Sequence, residues 1–371
     1  MYQQLSMIDS GIIYRNPKPH LWSKQAYFPS VADIGNGVLL CAVVIGEAFE
    51  SADSRLYLLR SCDNGSTWEM QGRLLPEDDS RRYSESGRIT ALSDGSIAAI
   101  VFRYDRHRID EGLANPETLG FVETECFISK STDKGDHWTP LEKLELPLIG
   151  PSFELCSPIV ELHDGRWLLP TSTWRAWDGY DPTGMKAVAF ISGDKGNTWP
   201  EYVDVMDGSK SSVIYWEQKI AEMEPGRLVS VAWAYDEKAG KDLPNTYSIS
   251  DDSGKAFSEP MDTGLFGQTP AILPLDNHRV LCVYRRMDSP GLWAAEASLK
   301  DGKWKTDKQT LLWGGSNNSM SGRSENMVSN FNVLRFGAPC ITRLESGDIL
   351  IAFWCVEDCV SNIRWIKLSC K

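Results

Sequence analysis

Carboxylate, arginine and tryptophan side chains recur at the ends of the strands that the sequence predicts. Two carboxyl groups cleave a glycosidic bond, one as a protonated acid and the other as a nucleophile or base. Aromatic rings cover the apolar face of a sugar, and charged groups bind its hydroxyl or carboxyl groups. Side chains of these types stand just before the first strand or just after the second strand of six predicted hairpins: Tyr27, Glu47, Glu85, Arg88, Arg103, Glu154, Trp174, Arg175, Trp216, Glu217, Trp233, Tyr235, Asp236, Gln268, Arg285, Arg286, Asp288, Trp354 and Glu357. This mixture is typical of a carbohydrate pocket.

The six hairpins are predicted from a repeated pattern. A short alternating strand, a tight polar turn and a second apolar strand follow one another in 30–44, 88–102, 158–172, 219–233, 271–285 and 340–354. In every copy but the one at 271–285, a Gly supplies the positive φ that the turn requires. That copy has Asn277-His278 at the turn instead. If the hairpins are arranged around a central channel, the first strand of each hairpin runs away from one mouth of the channel and the second strand returns to it. The polar residues at these strand ends then meet at that mouth.

A second repeat, Ser-x-Asp-x-Gly-x-Thr-Trp, alternates with the hairpins. All or nearly all of its positions match in 61–68, 131–138 and 192–199, and fewer positions match in 250–257. We expect the Asp carboxylate to accept backbone N–H groups across a turn, the Gly to be left-handed and the aromatic ring to pack back onto the strands. The repeat is therefore interpreted as a structural lock, and not as a catalytic or calcium-binding element.

A hairpin, a third strand and a locked turn, repeated about every 60 residues, describe the four-stranded blade of a β-propeller. The sequence predicts one all-β domain over 1–371, a six-bladed propeller with antiparallel blades. A short strand near Ile12–Tyr14 is expected to complete the last blade beside Ile363–Leu368 and so to cover its edge.

Composition limits the partners. The chain has 371 residues and a net charge of −13, so a phosphate backbone would be repelled, and we expect no nucleic-acid partner. No apolar run approaches the length of a membrane helix and no signal peptide is visible, which predicts no membrane partner and a cytoplasmic location. Nine scattered cysteines without CxxC spacing predict reduced thiols. Nothing in the sequence requires a metal or another cofactor.

The motif Ser-x-Asp-x-Gly-x-Thr-Trp is the Asp-box, and four copies on six hairpins resemble the sialidase (neuraminidase) superfamily of glycoside hydrolases. The resemblance covers almost the whole chain and implies a sugar substrate. Arabinanases, some polysaccharide lyases and non-catalytic propellers also carry Asp-boxes, so the motif indicates the fold class more than the chemistry.

Several residues that the resemblance implies are missing. Sialidases hold the substrate carboxylate with three Arg, of which the first lies on the inner strand of blade one, where this chain reads Tyr27-Phe28-Pro29-Ser30. Trp233-Ala234-Tyr235-Asp236 replaces the second Arg, and only Arg285-Arg286 could supply the third. Phe336-Gly337-Ala338-Pro339 stands where the family has a Tyr nucleophile. Cleavage of ordinary sialosides by the usual covalent route is therefore not expected.

Other positions match the family. Glu217, at the start of the inner strand of blade four, corresponds to the family Glu and is the first choice for nucleophile or base. The family acid lies in the loop that leaves blade one, where Asp53 is the nearest match and Glu47 and Glu50 are alternatives. The substrate-binding candidates are Arg88, Arg175, Trp174, Trp216, Trp233, Tyr235, Asp236, Gln268, Arg285, Arg286, Trp354 and Glu357.

Three functions stay open on the sequence alone. The first is an exo-acting glycoside hydrolase on a non-sialic sugar, which could be acidic. The second is a lyase that removes a proton next to a uronate carboxyl group, with Arg285 or Arg286 neutralising the carboxylate. The third is a glycan-binding propeller without catalysis. Glu217 could also be a structural partner of an arginine, and Trp233 and Trp354 could be packed between blades.

Overall fold

A computed structural model of the chain describes residues 5–76, 82–148, 150–155, 157–314 and 333–370. Within these ranges the regular secondary structure consists of β-strands, and no helix is long and apolar enough to cross a membrane. The chain divides into two compact units. Unit 1 comprises Met1–Leu113, Glu125–Glu142 and Arg335–Lys371, and unit 2 comprises Ala114–Thr124 and Lys143–Leu334.

The strands are numbered in chain order. The first nine are β1 (Leu5–Tyr14), β2 (Gln25–Asp33), β3 (Leu39–Gly46), β4 (Arg55–Ser61), β5 (Glu69–Arg73), β6 (Tyr83–Ala91), β7 (Ile97–Asp105), β8 (Thr124–Ser131) and β9 (Glu142–Lys143). The next eight are β10 (Ser152–Glu154), β11 (Val160–Glu161), β12 (Trp167–Trp174), β13 (Ala187–Ser192), β14 (Glu201–Met206), β15 (Val213–Glu224), β16 (Arg227–Asp236) and β17 (Lys241–Asp242). The last eight are β18 (Pro244–Ser250), β19 (Met261–Asp276), β20 (Arg279–Arg286), β21 (Gly291–Lys300), β22 (Lys303–Trp313), β23 (Phe336–Arg343), β24 (Ile349–Glu357) and β25 (Val360–Cys370).

Most of unit 1 is built from three four-stranded sheets. Their strand orders are β2-β3-β4-β5, β6-β7-β8-β9 and β1-β25-β24-β23. The predicted N-terminal strand is confirmed, because β1 pairs antiparallel with β25 and aligns Ile12 with Arg364 and Tyr14 with Ile363. This pairing covers one edge of β25 with sequence from the other end of the chain.

Unit 2 contains the sheet β10-β12-β13-β14, in which β11 also pairs with β12, and one longer sheet, β15-β16-β18-β19-β20-β21-β22. The 16-residue strand β19 joins two halves of that longer sheet. Its first residues pair with β18, and Gly267–Asp276 pair with β20. Each of the six predicted hairpins is present. The first strand of the third hairpin is divided into β10 and β11, and Pro158, which cannot donate to a ladder, lies in the interruption.

The central strands account for much of the core. Every residue of β3, β12 and β13 is buried, and each of these strands is a nearly continuous run of apolar and small residues. In unit 2, Leu168 of β12 belongs to the same buried cluster as Leu228 and Ala232 of β16. The strands that carry candidate site residues at their ends are therefore held firmly by packing.

The locked turns have the predicted geometry. In the first, Asp63 Oδ1 accepts the N–H groups of Ser66 at 3.0 Å and Thr67 at 2.9 Å, and the Ser61 hydroxyl donates to the same oxygen at 2.8 Å. The Trp68 Nε1–H donates back to the Gly65 carbonyl at 2.9 Å. In the third copy, hydrogen bonds from the Thr198 N–H, the Thr198 hydroxyl and the Ser192 hydroxyl lower the pKa of Asp194 to about 2, so this carboxylate is ionised at neutral pH. All of these contacts lie within a single turn, which supports the structural interpretation.

Gly65 allows a test of how tightly a locked turn packs. Its φ is 84°, and a Cβ atom there would lie 2.7 Å from Leu350 Cδ1 and 3.0 Å from Leu39 Cδ1. Gly95 has the same φ, but a Cβ there would meet nothing within 4 Å. We expect Gly95→Ala to cost about 1–2 kcal/mol through backbone strain. Gly65→Ala should cost at least about 1 kcal/mol more, because the methyl group overpacks the core.

Urea unfolding of both variants measures the two costs. Because the φ values are matched, the difference between the variants isolates packing from strain. Equal losses of stability in the two variants would contradict the packing argument.

Candidate functional site

Glu217 lies on a β-bulge of β15. The register with β16 shifts between Trp216 and Lys219, and Glu217 has a φ of 49°. Its backbone N–H donates to Glu154 Oε2 at 2.8 Å, and its side chain is half-buried. A left-handed Glu is uncommon, and a bulge of this kind re-aims the side chain relative to the regular strand. The bulge therefore places the first-choice carboxylate in a position that a regular strand would not give it.

The same bulge occurs in three other hairpins, and sequence reasoning missed it. The inner strands β2, β19 and β23 each have a register shift and a left-handed residue at the corresponding place: Phe28 (φ 53°), Thr269 (φ 50°) and Ala338 (φ 43°). In these three strands a proline follows the left-handed residue directly, and bulges are among the few places where a strand tolerates proline. That proline is the signal that could have revealed the bulges. Among the four positions, only that of β15 carries a carboxylate.

A polar network in unit 2 connects Arg285 through Gln268 to Asp242 and Trp233. Arg285 Nε and Nη2 donate to Gln268 Oε1 at 3.1 and 2.7 Å, and Gln268 Nε2 donates to Asp242 Oδ2 at 2.9 Å. The other oxygen of Asp242 accepts the Trp233 Nε1–H at 2.8 Å. The sequence predicted Gln268, Arg285 and Trp233, but no motif marks Asp242.

Arg285 is the cation of this network. Only 3% of the residue is exposed. Burial lowers the pKa of Arg285 to about 10, although the negative charges of Glu217 and Asp242 raise it. Glu217 is thus electrostatically coupled to a buried guanidinium.

The predicted aromatic residues of unit 2 pack on one another. The ring of Trp216 lies 5.4 Å from that of Trp174, 5.0 Å from that of Trp233 and 5.2 Å from that of Tyr235, measured between centroids. Their exposed fractions are between 1% and 7%. The Trp174 Nε1–H donates to the Leu119 carbonyl at 2.7 Å. These rings form a core cluster rather than an open surface, and their contact with a ligand stays a prediction.

Three other candidates of unit 2 bind neighbouring groups. Arg175 Nη1 donates to Glu237 Oε1 at 2.6 Å, and Asp236 Oδ1 accepts the Ala239 N–H in a turn. Arg286 binds both carboxylate oxygens of Asp288, at 2.6 and 3.0 Å. Successive side chains of a strand point to opposite faces, which explains why Arg285 joins the buried network and Arg286 does not.

The loop between β3 and β4 in unit 1 carries three predicted acids. Asp53 Oδ1 accepts the Glu47 N–H at 3.0 Å, so Asp53 braces the loop, and Glu47 is exposed. Glu50 Oε2 accepts the Leu113 N–H at 3.2 Å. Burial raises the pKa of Glu50, although the Leu113 N–H and the charge of Arg106 lower it. A raised pKa is the property that an acid needs near neutral pH, and it favours Glu50 over its neighbours.

Aromatic rings also meet at the end of β2 in unit 1. Phe49 lies 5.0 Å from Tyr27, 5.4 Å from Phe28 and 5.4 Å from Trp354, and the guanidinium of Arg88 lies 5.7 Å from the centre of the Phe28 ring. Tyr27 and Trp354 are buried, whereas Phe28 and Phe49 are half-buried. Burial raises the pKa of Tyr27 to about 12, so its hydroxyl is protonated at neutral pH.

Two further acids of unit 1 form ion pairs with arginines. Both oxygens of Glu357 accept the Arg364 Nε–H, at 2.9 and 3.0 Å. Glu85 Oε1 accepts Arg103 Nε and Nη2 at 3.2 and 3.1 Å. Among the described residues, no group of three or more His, Cys, Asp or Glu side chains could hold a metal ion.

Comparisons with solved structures identify the fold. A protein of unknown function from Dyadobacter fermentans is similar over 99% of this chain and 99% of its own, with a TM-score of 0.74 and 21% identity. The intramolecular trans-sialidase from Ruminococcus gnavus, solved with oseltamivir carboxylate, is similar over 96% of both chains, with a TM-score of 0.68 and 14% identity. The chain has the sialidase fold. A sialidase from Streptococcus pneumoniae matches 97% of this chain and 70% of its own at a TM-score of 0.62 and 12% identity.

The likeness confirms the predicted all-β propeller class. No protein-family model matches the sequence, and no curated protein matches it. The fold is thus established, but the sequence identities to these structures are too low to assign an activity. The activity has to be argued from the site.

Proposed function

We propose that the protein is a glycoside hydrolase of the sialidase-like, Asp-box kind, which removes a sugar other than an ordinary sialoside from the end of a glycan. The observation that carries this proposal is Glu217. It is the one acid among the four left-handed bulge residues, and it is coupled to the buried Arg285. A strained backbone at a charged, half-buried residue is more typical of a functional position than of a packing one.

The role of Glu217 in this proposal is that of nucleophile or base. A nearby cation stabilises a carboxylate, and the charge of Glu217 acts on Arg285, while the Glu154 contact holds the backbone N–H of residue 217. The acid is proposed to come from Glu47, Glu50 or Asp53, among which Glu50 has the raised pKa. Two carboxyls with different protonation are what glycosidic cleavage requires.

Sialic acid is an unsuitable substrate for the proposed site. The left-handed positions of β2 and β23 hold Phe28 and Ala338, so the chain presents neither the first arginine nor the tyrosine nucleophile that the resemblance implies there. The proposed carbohydrate substrate is accordingly a different glycoside.

A panel of 4-nitrophenyl glycosides and of unlabelled oligosaccharides tests this function. We expect release of nitrophenol or of a reducing sugar without an ultraviolet-absorbing product. An ultraviolet-absorbing unsaturated uronide would identify a lyase instead. Binding of glycans without turnover across the panel would favour the non-catalytic alternative.

A further inference from the structure

The hydrogen bonds that join Trp233 to Arg285 in unit 2 have only one possible direction. An indole N–H can only donate and an ionised carboxylate can only accept. Asp242 therefore accepts Trp233 Nε1–H on one oxygen, at 2.8 Å, and Gln268 Nε2 on the other, at 2.9 Å. With its nitrogen turned to Asp242, Gln268 must present Oε1 to Arg285, whose Nε and Nη2 donate to it. The Asp242 carboxylate thus sets the orientation of the Gln268 amide.

Gln268 holds the Arg285 guanidinium without itself neutralising it. The register of β19 with β20 places the two residues directly opposite each other, and only 2% of Gln268 is exposed. The next arginine, Arg286, pairs instead with the carboxylate of Asp288 at 2.6 Å. An amide oxygen accepts N–H groups as a carboxylate does, but it carries no formal charge. The charge of Arg285 is then left to interact with other carboxylates, among them that of Glu217.

A second series of contacts leads from Asp242 to the bulge. Trp216, the residue before Glu217, is the register partner of Trp233, and the centroids of the two rings lie 5.0 Å apart. The Trp233 indole is held in turn by Asp242. One carboxylate therefore supports the backbone before Glu217 through one oxygen and the orientation of Arg285 through the other.

We infer that Gln268 is a positioning residue for Glu217: it orients the Arg285 guanidinium through hydrogen bonds and leaves the positive charge to act on the Glu217 carboxyl group. Asp242 anchors this arrangement. Both ends of the Gln268 amide are engaged within the chain, so Gln268 acts through Arg285 and not on the substrate. A cation stabilises the ionised carboxylate that a nucleophile or base needs. The inference rests on the proposed function, in which Glu217 has that role.

Other charged groups also lie around Glu217. Its backbone N–H donates to Glu154 Oε2 at 2.8 Å, and Lys219 Nζ donates to its backbone carbonyl oxygen at 3.2 Å. Both of these contacts use the backbone of residue 217, and a substitution at position 268 changes neither charge. A change in the titration of Glu217 that follows such a substitution therefore reports on Arg285.

An exchange of charge between positions 242 and 268 tests the inference. In the double variant Asp242→Asn with Gln268→Glu, the new amide can accept from Trp233 and donate to position 268, and the new carboxylate can accept from Arg285. Net charge and side-chain shape are kept, but a negative charge now lies directly on the guanidinium. In each single variant two donors or two acceptors face each other. We therefore expect the double variant to melt at a higher temperature than either single variant.

The pH profile of kcat/KM is the first measurement. The acid limb should move to higher pH by about one unit or more in the double variant, because a neutralised cation no longer favours the ionised base. Gln309→Glu on β22 is the matched control, since the exposed Gln309 accepts Arg286 Nη1 at 2.9 Å, and it should leave the limb in place. An unmoved limb in a folded double variant would overturn the inference.

A titration without substrate separates this inference from the proposed function. Carbon NMR with isotope-labelled glutamate carboxyl groups follows residue 217, whose signal is assigned by its loss in matched proteins that carry Glu217→Gln. We expect its midpoint to rise by about one pH unit or more in the double variant and to stay unchanged in Gln309→Glu. This rise in a protein that cleaves no glycoside would support the inference and contradict the hydrolase. Cleavage that depends on Glu217, with an unmoved midpoint, would support the hydrolase and overturn the inference.

Discussion

Glu217→Gln is expected to lower kcat by about 10²–10⁴-fold on whichever glycoside the protein cleaves, with a much smaller change in KM. The amide keeps the shape of the side chain but cannot act as nucleophile or base. The bulge should persist, because the contact to Glu154 uses the backbone N–H of residue 217 and not its side chain.

Controls make this expectation decisive. Glu201→Gln on β14, an exposed acid of the same unit, should leave kcat unchanged. The melting temperature of Glu217→Gln should fall little, whereas a residue that only balanced the charge of Arg285 would lower stability without lowering the turnover of the folded enzyme. Full activity in a folded Glu217→Gln variant would remove Glu217 from the mechanism.

Asp242→Ala is expected to destabilise the protein by about 2–4 kcal/mol, because a buried donor left without its acceptor costs about 1–3 kcal/mol and two donors are affected. The Trp233 Nε1–H and Gln268 Nε2 would both lose their acceptor. Arg285, of which only 3% is exposed, would keep its charge with one carboxylate fewer around it. Urea unfolding measures the loss.

A second substitution shows whether the buried charge causes that loss. In the double variant Asp242→Ala with Arg285→Met the uncompensated cation is gone, so we expect a coupling of about 1–3 kcal/mol in favour of the double variant. Asp251→Ala is the exposed control: its side chain is 78% exposed, its nearest ion-pair distance to Arg227 is 3.4 Å, and its loss should stay below about 0.5 kcal/mol. Strict additivity of Asp242→Ala and Arg285→Met would contradict the argument.

Features governed by local chemistry could be predicted from the sequence. The hairpin turns need left-handed residues, which Gly provides. The locked turns close through contacts between residues at most four apart, as between Asp63 and Thr67. The pairing of β1 with β25 followed from the need to cover a sheet edge. The single domain over 1–371 and the roles of the site residues stay predictions.

Features that depend on the register of distant strands could not be predicted. The bulge at Glu217 arises where β15 pairs with β16, and the candidate list shows only that a Glu occurs there. The same holds for the tryptophans, because Trp174 stacks on Trp216 from another sheet, a contact that composition cannot indicate. Asp242 belongs to no motif and enters the network only through the fold.

The pairing of β1 with β25 has a consequence for synthesis on the ribosome. The partner of residue 12 is residue 364, so β1 must wait while about 350 residues are added, roughly 20–70 s at ordinary elongation rates. During this interval a ten-residue strand containing the apolar Met7 and Ile8 has no partner to cover its edge. In the nascent chain β1 is then a place where chaperones or neighbouring chains can bind, and the sheet β1-β25-β24-β23 forms only after β25 has left the exit tunnel.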